Sequence, residues 1–219
     1  MKKFLTVALA TAILGFGKNV KAQEGFSFSV KVTPQFTFLE NRDDNNNSLI
    51  QRNATFHTNF GVGAGCNLTE NFGVGMDLLY SFQGQRYELD GVVVNQKISY
   101  IKIPVYWSIN SDPRKDISLI GKMGPQLGIL THSKLTDKNG DDITTNTNFR
   151  YKDLTLGGMM NFGVQVRLMS DMYASSAVRF DYDFTNADRD KSGYYPAGRA
   201  NTHNMTLGLE FGLRYVTRW

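Results

Sequence analysis

The sequence has 219 residues, with 24 Lys plus Arg against 20 Asp plus Glu, three histidines and a single cysteine. One cysteine excludes an internal disulfide, so stability cannot come from a disulfide framework. The formal charge of +4 is confined to the first 22 residues, which hold Lys2, Lys3, Lys18 and Lys21 and no acid. The remainder carries 20 charges of each sign (24 less four, against 20), and it lacks the basic balance expected of a nucleic-acid surface.

In chain order, Lys2 and Lys3 precede an apolar stretch from Phe4 to Phe16, and Val20-Lys21-Ala22 offers a small-residue cleavage site before Gln23. That order reads as a secretory signal peptide over residues 1–22 rather than a retained amphipathic anchor. The stretch is shorter than the roughly 20 apolar residues a spanning helix needs. No cysteine follows the cleavage site to carry a lipid. The mature chain is expected to begin at Gln23, which N-terminal sequencing or intact mass will check; a mature chain retaining Lys2 and Lys3 would overturn the export reading. Residues 23–219 (219 less 22, or 197) suffice for one domain.

No later run is long and apolar enough for a membrane helix, yet the strands look like membrane strands. Near the C-terminus Met205, Leu207, Leu209, Phe211, Leu213 and Tyr215 alternate with Thr206, Gly208, Glu210, Gly212, Arg214 and Val216. One face suits lipid and the other a polar interior, and a spanning sheet must close on itself to satisfy its backbone. Strands are predicted at 26–39, 55–68, 71–84, 96–109, 116–131, 151–168, 172–186 and 203–217. Tight connections fall at Thr69-Glu70-Asn71, Ser111 to Lys115 and Ser170-Asp171, and long polar ones at 40–54, 85–95, 132–150 and 187–202. The expected fold is all-β, an eight-stranded antiparallel up-and-down transmembrane β-barrel with short periplasmic turns and long outer loops.

The period of two assigns faces. Outward are Val30, Val32, Phe36, Phe60, Val62, Val74, Met76, Leu78, Ile101, Ile103, Val105, Leu156, Met160, Phe162, Val164, Val178, Phe180 and Tyr182. Aromatic girdles are expected from Phe72, Trp107, Tyr215 and Trp219 at the periplasmic rim and from Phe38, Phe56, Phe82 and Phe184 at the outer rim. Arginine at Val164 or Leu209 should impair membrane folding, whereas Thr206, out of phase and near the mouth, should tolerate it better. Gly61, Gly63, Gly65, Gly73, Gly75, Gly157, Gly163, Gly208 and Gly212 face the lumen and leave room for larger neighbours. Gly61-Val62-Gly63-Ala64-Gly65 is not a nucleotide loop, because a strand rather than a helix follows it.

The glycine-rich segment Phe60 to Leu68, Leu78-Leu79-Tyr80-Ser81, Tyr100-Ile101-Lys102-Ile103-Pro104-Val105 and Gly121-Lys122-Met123-Gly124-Pro125, continuing to Gly128, resemble the PorT-like outer-membrane β-barrel family of Gram-negative bacteria. The likeness covers most of the mature chain. The first loop, with Asn45-Asn46-Asn47, has no counterpart in it. It implies a bacterial outer-membrane location and brings no catalytic motif or cofactor.

Charge on the inner face comes from Lys31, Asp77, Lys102, Lys122, Arg167, Arg179, Asp181, Asp183, Glu210 and Arg214. So narrow a bore is filled by side chains, and buried charges must pair. The expectation is a structural network of Asp77, Lys102, Lys122, Arg179, Asp181, Glu210 and Arg214. Lys102 and Lys122 would be near-diagonal neighbours served by Asp77 and Glu210, and a narrow ion path is the alternative. His132 with Ser133, or His203 with Asp188 or Asp190, are the pairings an enzyme could use, but His57, His132 and His203 all read as rim residues and no enzyme is expected. Asp137, Asn139 and Asp141 begin a calcium-loop spacing that Asp142 and Asn148 break, so no metal is expected. A soluble lipocalin-like binder would exchange the two faces. Expected partners are outer-membrane lipids including lipopolysaccharide, the outer-membrane insertion machinery through the C-terminal strand, and envelope or surface proteins; no nucleic acid is expected.

Overall fold

The computed structural model describes residues 25–43, 51–89, 91–112, 115–189 and 200–217. The expected signal segment, residues 1–22, and Trp219 lie outside them. Nine strands form in chain order: β1 (Gly25–Asn41), β2 (Gln51–Asn67), β3 (Phe72–Leu89), β4 (Val92–Asn110), β5 (Ile117–Thr136), β6 (Asp142–Thr144), β7 (Leu154–Arg167), β8 (Met172–Asp183) and β9 (Thr202–Val216). All long neighbours pair antiparallel, and β1 pairs with both β2 and β9, so eight strands close into a ring. Closure removes the free sheet edges that lipid could not satisfy. Three-residue β6 adds only to the outer end of β5, through Leu135 opposite Thr144.

Alternation along each strand sorts the side chains. Val30, Val32, Phe36, Phe60, Val62, Met76, Leu78, Val105, Leu156, Met160, Phe162, Val164, Val178 and Phe180 are exposed on the outer wall, while Val74, Ile101, Ile103 and Tyr182 are half-buried. Phe72, Trp107 and Tyr215 lie exposed toward the periplasmic turns, and Phe56, Phe82 and Phe184 toward the other end, with Phe38 half-buried beside them. Rings at that outer level touch: Phe36 meets Phe56 edge-on at 5.4 Å, and Tyr80 meets Phe82 at 5.0 Å.

Three features depart from the sequence expectation. The second outer loop nearly disappears, because β3 and β4 stay paired out to Leu89 opposite Val92, with Gly91 turning at φ 78°. Valines 92 to 94 favour extended backbone, and Asp-Gly is a two-residue hairpin signal because its turn needs positive φ. The third loop is shortened as well, since β5 continues to Thr136 and residues 142–144 pair with it. Finally, the connection after β4 is wider than the expected turn at 111–115. Ser111 and Leu119 close it through reciprocal hydrogen bonds, and the last paired residues are Asn110 and Ile120.

Candidate functional site: the charged lumen

Charged side chains inside a narrow closed ring must find their partners there. Lys31 on β1 reaches across β2 to Asp77 on β3, with Nζ 2.6 Å from Oδ1. Gly63 permits this crossing, since a Cβ there would run into the Asp77 carboxylate and lie 2.8 Å from Ser29 Oγ. The Tyr106 hydroxyl donates to Asp77 Oδ1 at 2.9 Å, and its ring fits because Gly75 has no Cβ to strike it. Arg179 on β8 donates to Glu210 (2.9 Å), Asp181 (3.0 Å) and the Gln126 amide oxygen (3.1 Å). Lys122 donates to the other Glu210 oxygen at 3.3 Å. Lys102, which is 0% exposed, lies 3.6 Å from Asp183 and 3.9 Å from Asp181. Asp183 accepts further bonds from Thr155 and Asn204.

Four cations (Lys31, Lys102, Lys122, Arg179) thus meet four carboxylates (Asp77, Asp181, Asp183, Glu210), and the belt neutralises itself. Burial of ions is costly without such pairing and further hydrogen bonds. The arrangement differs from the expected one in four respects. Lys102 and Lys122 are not neighbours: the wide connection after β4 sets Lys102 opposite Gly128 and Lys122 opposite Ser108. Lys102 therefore uses Asp181 and Asp183 rather than Asp77 or Glu210. Arg214 stands outside the belt, its guanidinium 5.4 Å from the Tyr173 ring. Lys31, Tyr106, Gln126 and Asp183 complete the belt and were absent from the expected network. Lys31 and Asp183 were legible as inward charges, but pairing across an intervening strand depends on a register that sequence spacing does not supply.

Above the belt, inward side chains form hydrogen bonds and a small apolar cluster. Gln35 donates to Ser81 and to the Phe82 carbonyl, and Thr37 donates to the Gly84 carbonyl. Leu39, Ile98 and Tyr100 turn inward at the outer end and pack with Tyr151 and Ala187, residues of the third and fourth outer connections. Those connections are joined to each other by a bridge between Tyr151 and Asp188, and Asp188 also accepts from Thr202. Thr206, expected to tolerate arginine better than Leu209, is 1% exposed and 3.4 Å from Asp181. A cation there would crowd Lys102 and Arg179, so the site is not permissive.

Among the described residues the pairings that an enzyme could use do not meet. Ser133 faces the lumen and shares a 2.7 Å hydrogen bond with Thr147, while His132 is exposed on the opposite face. His203 stacks on Tyr182 with centroids 5.5 Å apart, and Asp188 is engaged with Thr202; Asp190 lies outside the described residues. His57 sits half-buried on β2. Asp137 accepts from the backbone N–H groups of Asn139 and Asp141, forming a turn around Gly140 at φ 95°.

A closed ring of eight antiparallel strands, apolar outside and charged inside, defines a transmembrane β-barrel. The chain belongs to the outer membrane protein beta-barrel domain family, whose model matches residues 7–214, and its location is the bacterial outer membrane. Similar solved structures include Ail, the attachment invasion locus protein of Yersinia pestis, at 11% identity with 88% of this chain and 99% of that one covered, TM-score 0.46. Another is the outer membrane protein OprG from Pseudomonas aeruginosa, at 9% identity, 92% and 100% covered, TM-score 0.47. The outer membrane protease OmpT from Escherichia coli is a third, at 7% identity, 92% and 100% covered, TM-score 0.46. No curated protein matches the sequence. An architecture of this kind is shared by proteins of different activities.

Proposed function

We propose that this protein is a non-enzymatic outer-membrane barrel whose lumen is a rigid plug and which works as a structural or interaction protein through its outer face. The observation that carries this reading is the self-neutralising belt of four cations and four carboxylates spanning the bore. The cluster of Leu39, Ile98, Tyr100, Tyr151 and Ala187 above it supports a bore without a continuous water column. Within the family the chain is assigned to the PorT-like branch. In its Tyr100-Ile101-Lys102-Ile103-Pro104 signature, Tyr100, Lys102 and Pro104 are the buried, inward positions.

Lipopolysaccharide is the proposed lipid partner. Exposed Arg86 and half-buried Lys97 and Lys134 stand on the outer strand extensions, and Lys97 lies directly opposite Lys134 across β4 and β5. Lys134 is already paired with Asp142 at 2.7 Å, so Arg86 and Lys97 are the cations left to meet anionic headgroups. β9, which pairs with β1 to seal the ring, is the proposed contact for the insertion machinery.

Planar-bilayer recording tests the plug. The folded protein should show no steady conductance at moderate voltage, and large, stable single-channel steps would reject the plug and make the protein a pore.

A further inference from the structure

The belt accounts for its own charge, but Arg214 does not belong to it. Its guanidinium rests on the Tyr173 ring, and its buried Nε has no hydrogen-bond partner. No carboxylate lies within ion-pair distance of it among the described residues. Between the belt and the periplasmic turns the lumen holds a cavity of about 60 Å³, bordered by Arg214, Lys31, Lys122, Tyr173 and Gln165. That volume has room for about four to six waters, or for one small ion in their place. Its lining holds three cations against one acid, Glu70, which stands at the rim in the turn after β2. Asp77 and Glu210 are not part of the lining, so Lys31 and Lys122 border the cavity while bonded to acids outside it. A second buried donor, Gln165 Nε2, is also without a partner. Ser27, Ser29 and Ser175 add hydroxyls to the same wall.

We propose that this periplasmic end of the lumen is a binding pocket for a small oxyanion of the phosphate type, with Arg214 as its anchor. The unpaired guanidinium supplies a planar donor fork that suits a tetrahedral oxyanion, and Gln165 and the serines supply neutral donors for the remaining oxygens. Lys31 and Lys122 raise the local potential without leaving their carboxylates. Access is from the periplasm alone, because the belt and the outer cap stand between the pocket and the cell exterior. The pocket is independent of the proposed plug function: a barrel with steady conductance could still bind the anion, and a closed one could fail to.

Isothermal titration of the detergent-folded protein with inorganic phosphate tests the site. One phosphate should bind per barrel, and Arg214→Gln should weaken binding about tenfold or more, the scale of one charge-assisted hydrogen-bonding group. Lys138→Gln in the third outer loop should leave binding unchanged. Heat-modifiable gel migration reports whether Arg214→Gln folds. If it does not, the unmodified protein decides the matter, since phosphate should shift the Arg214 Nε–H resonance in a side-chain nitrogen NMR spectrum. Absence of phosphate binding, equal binding by folded Arg214→Gln, or an Arg214 resonance indifferent to phosphate would overturn the proposal.

Discussion

Glu210→Ala should destabilise the folded barrel by about 3 to 5 kcal/mol, the cost of leaving a buried ionic group uncompensated. Glu210 is 1% exposed and takes hydrogen bonds from both Arg179 and Lys122. Without it Lys122 has no carboxylate partner among the described residues, and Arg179 keeps Asp181 and Gln126. Glu88→Ala on the outer extension of β3, half-buried and with no ion pair among the described residues, should cost little, as partly exposed charges contribute at most about 1 kcal/mol. Urea unfolding in lipid vesicles, followed by gel migration or tryptophan fluorescence, measures the difference. Equal midpoints for the two variants would mean that the belt is hydrated and contributes little. Glu210→Gln should fall between them, since the amide keeps an acceptor for Arg179 but removes the charge.

Leu209→Arg should impair insertion by about 2 to 4 kcal/mol, the range for a cation near the bilayer midplane on a barrel's lipid face. Leu209 lies at the middle of β9, opposite Val178, and both point outward. His132→Arg, exposed near the outer end of β5, should insert nearly as well as the unmodified protein. The readout is the folded fraction after dilution from urea into vesicles. If the two variants fold equally, the outer wall does not face lipid at Leu209.

What could be read from the sequence follows from how strongly each feature is imposed by its surroundings. Lipid and lumen impose opposite chemistries on alternate residues, so the outward placement of Phe162 or Leu209 is written into a period of two. Ring closure follows from the same alternation once no helix is available to span the membrane. Register is not written that way. It depends on where the β4 to β5 connection closes, and closure at Ser111 and Leu119 parted Lys102 from Lys122. Two local signals were present in the sequence: Asp90-Gly91 marks the tight hairpin that replaced an expected loop, and Leu39 and Ile98 break the polar-inward pattern where the apolar cap forms. The solitary position of Arg214 was not legible, because its isolation is fixed only when every carboxylate of the belt has found another cation.

The outer cap also separates a fastened region from one that holds itself. The third and fourth outer connections are fastened where Tyr151 meets Asp188 and where Ala187 enters the apolar cluster. The turn at Asp137 to Asp141, held by its own backbone bonds to the Asp137 carboxylate, projects beyond those anchors. Substitutions at such a tip need not reach the lumen beneath, so the turn can vary without a penalty in barrel assembly.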